Sequence, residues 1–156
     1  MADERDPSQA PYPYLNFLFR LTLGEREVAA CSECTGLSLE VSTEDYHEGG
    51  ENRFTWKLPV AGQVPNLVLK RGIVGDATEL STWFERYLEE GTVEYRDGQV
   101  ALLASTDPKK KAARVWKFKG GFPVKWTGPD LNAIQAGVAF ETLEIVHQGL
   151  RLEKGA

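Results

Sequence analysis

The chain has 156 residues, a hydrophobic fraction of 42% and a charged fraction of 26%, which suits one domain with its own core and excludes pervasive disorder. A formal net charge of -5 argues against stable nucleic-acid binding, which depends on Lys and Arg neutralising phosphates. No apolar run approaches the ~20 residues of a membrane helix, so direct membrane insertion by the single chain is not expected.

Residues 1–13, MADERDPSQAPYP, are acidic and Pro-rich. They predict a flexible, extended arm and not a signal peptide. A single β domain is expected over residues 14–152, with residues 153–156 as a C-terminal tail. Residues 15–23 place Leu15, Phe17, Phe19, Leu21 and Leu23 on one face, the pattern of a half-buried strand. Gly24-Glu25-Arg26 turns the chain, and residues 27–31 return as the other half of a hairpin.

Cys31 and Cys34 form a C-x-x-C, but the flanks read strand, turn, strand, whereas a thioredoxin-type pair opens a helix. On an unbroken strand their odd separation puts them on opposite faces. The pair therefore reads as two small, partly buried hydrophobes, and with no second Cys pair a zinc site is not expected.

Leu37, Leu39, Val41 and Thr43 alternate in a third strand. It runs into a long polar connection, Asp45, Tyr46, His47, Glu48, Gly49, Gly50, Glu51 and Asn52. Gly49 and Gly50 lack a Cβ and can take positive φ there. Phe54, Trp56 and Leu58 alternate as a short strand, Pro59 to Pro65 read as a Pro-bounded turn, and residues 66–71 as the next strand.

One helix is expected, over residues 77–90. Leu80, Trp83, Phe84, Tyr87 and Leu88 form a single apolar stripe that should pack on a sheet, with Asp76 and Glu79 as a capping box and Gly91 beyond the C-terminus. Residues 100–104 are apolar throughout, which suits burial on both faces. Residues 106–111, TDPKKK, read as a solvated hairpin tip. Residues 114–119 alternate, Gly120-Gly121 is expected to break that strand, and residues 122–127 form another short one before the turn at Gly128-Pro129-Asp130. Val138 and Phe140 share one face while Leu143 and Ile145 share the other, which predicts a β-bulge near Glu141 or Thr142. The resulting fold class is mainly β: two packed antiparallel sheets forming a barrel-like sandwich with one flanking α-helix.

Catalytic chemistry is hard to assemble from these residues. The histidines His47 and His147 are far apart, read as a polar loop residue and a solvated or capping strand-end residue, and no catalytic or phosphate-binding motif occurs. The chain is therefore read as non-enzymatic and free of cofactors.

Taken in order, SECTGL (residues 32–37), YHEGGEN (46–52), KLP (57–59), NLVLKRG (66–72), LSTWF (80–84), WKFKGGF (116–122), KWTGPDLN (125–132) and ETLEIVHQGL (141–150) carry a resemblance. Together they resemble the tail tube protein family of contractile phages and phage-like contractile injection systems, and more distantly the tube proteins of type VI secretion. The family usually shows a Gly after KLP, where this chain has Val60 and only later Gly62. The resemblance implies a structural subunit that forms hexameric rings stacked into a hollow tube. Contractile sheath and baseplate proteins are its implied partners, and DNA or effector protein its cargo in the lumen. It implies synthesis in the bacterial cytoplasm and a place in a virion tail or injection particle. It also implies that neighbouring subunits join their sheets into an inner barrel, and that the N-terminal arm and the loop from Asp45 to Asn52 bridge to the adjoining ring. The rival reading is a monomeric β-barrel that binds a small ligand in a cavity lined by Trp56, Trp116 and Trp126.

Overall fold

The computed structural model describes residues 15–16, 18–28, 31–51, 53–74, 79–104, 112–134 and 136–154. The N-terminal arm, Phe17, Asn52, Asp76 and the 106–111 tip lie outside the described residues. Apolar alternation builds the strands β1 (Phe19–Leu23), β2 (Arg26–Val28), β3 (Cys31–Thr35), β4 (Glu40–Tyr46), β5 (Trp56–Gln63) and β6 (Leu67–Gly72). The helix α1 (Glu79–Glu90) follows, then β7 (Arg96–Leu103), β8 (Ala112–Thr127), β9 (Phe140–Val146) and β10 (Leu150–Lys154).

All pairing is antiparallel. One sheet runs β2-β1-β7-β8-β10, and the other runs β8-β9-β6-β3. β8 belongs to both: residues 114–118 pair with β10, and residues 122–127 pair with β9. The Gly120-Gly121 pair therefore bends the strand from one sheet to the other and does not break it. The strand path from β2 to β3 does not close, so the fold is a sandwich with open edges and not a barrel.

The core lies between the sheets. Leu21, Leu23, Val100 and Phe118 from the first face Leu67, Leu69, Leu143 and Ile145 from the second. α1 adds Leu80 and Trp83, and the Trp83 indole N–H donates to the Glu94 carbonyl at 2.9 Å. The Arg96 guanidinium lies over the same ring, 4.8 Å from its centroid. The expectation that the whole apolar stripe packs on the sheet is corrected: Phe84 is half-buried, while Tyr87 and Leu88 are exposed. The stripe is longer than the core that its first two turns cover.

Three further corrections follow from the register. β9 carries no bulge; it pairs with β6 without interruption from Leu67–Ile145 to Gly72–Phe140. Its inward side chains are Glu141, Leu143 and Ile145, because the buried Glu141 carboxylate is ion-paired with the buried Arg71 guanidinium. Trp126 also donates its indole N–H to Glu141 Oε2 at 2.9 Å, so both carboxylate oxygens have donors. β5 runs straight through Pro59, where a turn was expected. The pairing skips between Ser42 and Thr43, leaving Val60 without a cross-strand partner, and this irregularity accommodates a residue without an N–H. Finally, the register of β3 shifts between Cys31 and Glu33, so both cysteines pack against the core and not on opposite faces. Burial, and then the neighbouring Cys31 thiol, push the Cys34 thiol up to about 12. His147 is likewise buried, beside the Phe118 ring at 5.7 Å, and not solvated as its strand-end position suggested.

Candidate functional site

The β4–β5 hairpin stands outside the sandwich. It is a two-stranded sheet of its own, paired to no other strand among the described residues. Every residue of β5 is exposed, and in β4 only Ser42 is half-buried. Leu39, Val41, Tyr46, Trp56, Leu58 and Val60 are apolar or aromatic and uncovered. An isolated two-stranded hairpin is marginal in water, and large apolar patches are rare on the surface of a protein that works alone.

Cross-strand pairing sorts this arm into two faces. Tyr46 pairs with Trp56 and Glu44 with Leu58, so Tyr46, Trp56 and Leu58 share one face. The Phe54 ring extends it, edge-on to Trp56 at 5.0 Å. The opposite face carries Asp45 and Lys57, whose ammonium reaches the carboxylate at 2.8 Å. That hydrogen bond and the Lys57 charge hold the Asp45 carboxyl below its usual range.

The structure divides the residues of the anticipated loop. Asp45 and Tyr46 are the last residues of β4, and His47, Glu48, Gly49, Gly50 and Glu51 form the tip, with Gly50 at φ 99°. Side-chain hydrogen bonds order the tip. Arg53 donates to Glu51 from Nε and from a guanidinium NH2, both at 3.0 Å, and from its backbone N–H at 2.9 Å. Those bonds lower the Glu51 carboxyl and raise the Arg53 guanidinium. Trp56 donates its indole N–H to Glu48 at 3.2 Å, and Thr55 Oγ1 lies 3.3 Å from His47 Nδ1.

The neck of the arm is fixed. Gly36 sits at φ +90° with the Asn66 carbonyl oxygen 2.1 Å from where a Cβ would lie, so only glycine lets the two strands enter side by side. Asn66 in turn donates to Glu144 of β9 at 2.6 Å.

The two open edges of the second sheet complete the surface. β3 and residues 122–127 of β8 flank it, and among the described residues each pairs on one side only. The first sheet ends on β2, just three residues long and a blunt edge, and on the five-residue β10, which pairs with β8 alone among the described residues. At the opposite end of the second sheet from the arm, Leu131, Ile134 and Val138 are exposed. Sequence reading passed over Leu131 and Ile134 because they follow a turn with no strand or helix period, and it placed Val138 on the strand with Phe140.

The rival ligand-binding reading loses its aromatic cluster. A cleft of 360 Å³ lies between the sheets, walled by Phe19, Leu37, Val100, Leu102 and Trp116. Trp116 lines it, but Trp56 is on the arm and Trp126 bonds to Glu141. Among the described residues, no group of three or more His, Cys, Asp or Glu side chains could hold a metal ion.

The sequence profile of the T4-like virus tail tube protein gp19 family matches residues 15–151. Comparison with curated proteins gives no match. Among solved structures, the fold is similar to a chain of an extracellular contractile injection system, the PVC sheath-tube complex in the extended state, at TM-score 0.81 and 22% identity over 92% of this chain and 93% of that one. It is similar to a chain of the anti-feeding prophage cap, the AFP tube terminating cap, at TM-score 0.82 and 23% identity over 99% of both chains. It is also similar to Hcp1 from Flavobacterium johnsoniae, at TM-score 0.58 and 18% identity over 89% and 97% of the two chains.

Proposed function

Because the chain belongs to the tail tube protein family of T4-like viruses, it is a structural inner-tube subunit of a phage tail or phage-like particle and not an enzyme, and we propose how it assembles. Six copies form a ring, and rings stack into a hollow tube that a contractile sheath surrounds and a baseplate initiates. DNA or effector protein passes through the lumen.

The second sheet closes the ring. Its strands alternate in direction from β8 through β9 and β6 to β3, so β3 of one copy lies antiparallel to residues 122–127 of the next. Joining these edges around a ring removes both of them. The outward side chains of this sheet include two cross-strand pairs of opposite charge, Glu33 with Lys70 and Lys125 with Glu144. Two acids and two bases give a wall without net charge from these residues, suited to letting cargo slide.

The arm joins the rings. The observation that carries this reading is a hairpin whose apolar face is uncovered in the subunit yet whose tip and neck are already ordered. The test is electron microscopy of protein lacking the tip, residues 47–55, beside the parent after co-assembly with baseplate. The expected variant folds and forms rings but no long tubes; tubes of parental length would overturn the bridging role.

A further inference from the structure

An apolar arm needs an apolar seat, and the same chain displays one. Ile73 and Val74 follow β6, and Leu131, Ile134 and Val138 precede β9. The Ile73 N–H donates to the Ala139 carbonyl at 3.0 Å, which joins the two segments into one collar. Leu131, Ile134 and Val138 are 87%, 97% and 71% exposed, and Ile73 and Val74 are exposed as well. Among the described residues nothing covers these side chains, and a patch of this kind marks a contact surface.

The collar and the arm occupy opposite ends of the second sheet. β4 follows β3, which ends at Thr35 opposite Val68, and β5 leads into Leu67, so the arm leaves where β6 begins. The collar sits where β6 ends, with Gly72 paired to Phe140. Six residues of β6 separate them, roughly 20 Å at about 3.3 Å per residue. Both surfaces are exposed in the same chain, so neither covers the other. A contact between unlike ends of identical chains repeats in one direction without closing, the geometry of a stack.

We propose that the β4–β5 arm of one subunit seats on the collar of Ile73, Val74, Leu131, Ile134 and Val138 in a second copy in the adjoining ring, burying Tyr46, Trp56 and Leu58 against it. This rests on the arm being the bridge between rings and names the surface that receives it. The two ends of the sheet are then complementary halves of one contact. The cleft between the sheets and the buried Arg71–Glu141 pair take no part in it.

Two measurements test the proposal on the full-length chain. In the first, Leu58→Cys and Ile134→Cys are combined, with native Cys31 and Cys34 retained, and tubes are assembled from mixed isotopically light and heavy chains. Mild oxidation should join position 58 of one chain to position 134 of another, read by mass spectrometry as a light–heavy peptide pair; tubes without that pair would overturn the seat. In the second, Leu131→Glu with Ile134→Glu should leave the melting curve and ring formation as in the parent, while mean tube length falls by roughly tenfold or more. Parental tube length, or loss of rings as well as tubes, would overturn the proposal. The tip deletion separates the two levels. If it abolishes stacking while the collar variant stacks normally, the arm bridges rings but seats elsewhere. If both stack normally, the bridging reading itself fails.

Discussion

β6 and β5 are neighbours in sequence and similar in length, yet they live in different solvents. β6 alternates buried and half-buried residues, with Leu67 and Leu69 in the core, whereas β5 is exposed along its whole length. β6 is hydrogen-bonded to β3 on one side and β9 on the other, whereas β5 has β4 alone among the described residues. What further separates them is whether the apolar side chains find their cover within the same chain. Strand geometry thus follows from local alternation, while stability follows from burial, and the arm has the first without the second.

The largest effects should fall on the core side of that comparison. Trp83→Ala removes a ring 1% exposed and its bond to Glu94, and is expected to cost about 3–5 kcal/mol in denaturant melts. Trp56→Ala on the arm should change subunit stability by less than ~0.5 kcal/mol while abolishing long tubes in electron micrographs. A loss from Trp56→Ala equal to that from Trp83→Ala would erase the distinction between the regions.

Glu141→Leu leaves the Arg71 guanidinium buried without its carboxylate, and should cost about 3–5 kcal/mol. Adding Arg71→Met should recover part of that loss in the same melts, because the buried charge that has lost the Glu141 carboxylate is then removed as well. If the double variant is as unstable as the single one, other groups around Arg71 sustain the site.

Gly36→Ala probes the junction of the two regions. A Cβ there meets the Asn66 carbonyl and the backbone is at positive φ, so a cost of about 1–3 kcal/mol is expected. Hydrogen exchange should speed in β3 and β6 near the neck; unchanged exchange would mean that the entry to the arm relaxes freely.

The last effect concerns pH. The Cys34 thiol is raised from 9.0 to about 12 by burial. Below pH 9.0 the thiol is protonated folded or unfolded, and its contribution is fully present. Between pH 9.0 and about 12 the unfolded chain ionises first, so stability falls as pH rises through this window. Cys34→Ala should flatten the alkaline limb measured by chemical denaturation. A slope as steep as the parent's would assign the alkaline loss to other groups.

Much of this was legible in the strand pattern, including the β1–β2 hairpin and β6. The errors share a cause. Alternation tells which residues share a face, but not what lies opposite that face. Val41, Trp56 and Leu58 read as alternating strand residues, and they are exposed, with no cover among the described residues. The same blindness produced the expected bulge in β9: an apolar count demands Phe140 or Val138 inward, whereas the buried pair of Arg71 and Glu141 puts a carboxylate there. Gly120-Gly121 read as a break because glycine marks turns and bends alike. The family was legible only through resemblance, since the motifs from residue 32 to 150 carry family character that composition does not.

The passage of β8 through both sheets has a mechanical consequence. Residues 114–118 are hydrogen-bonded in one sheet and residues 122–127 in the other, with no chain break between them. A pull along this strand therefore passes between the layers through covalent bonds, and not through side-chain packing alone. On each side it meets a ladder of hydrogen bonds loaded together in shear, which must fail as a group. The Gly120-Gly121 bend can flex under such a load, but it cannot let one layer slide off the other. In a hollow column built from these subunits, the wall would resist tension as a tied laminate does, with β8 as the tie in every copy.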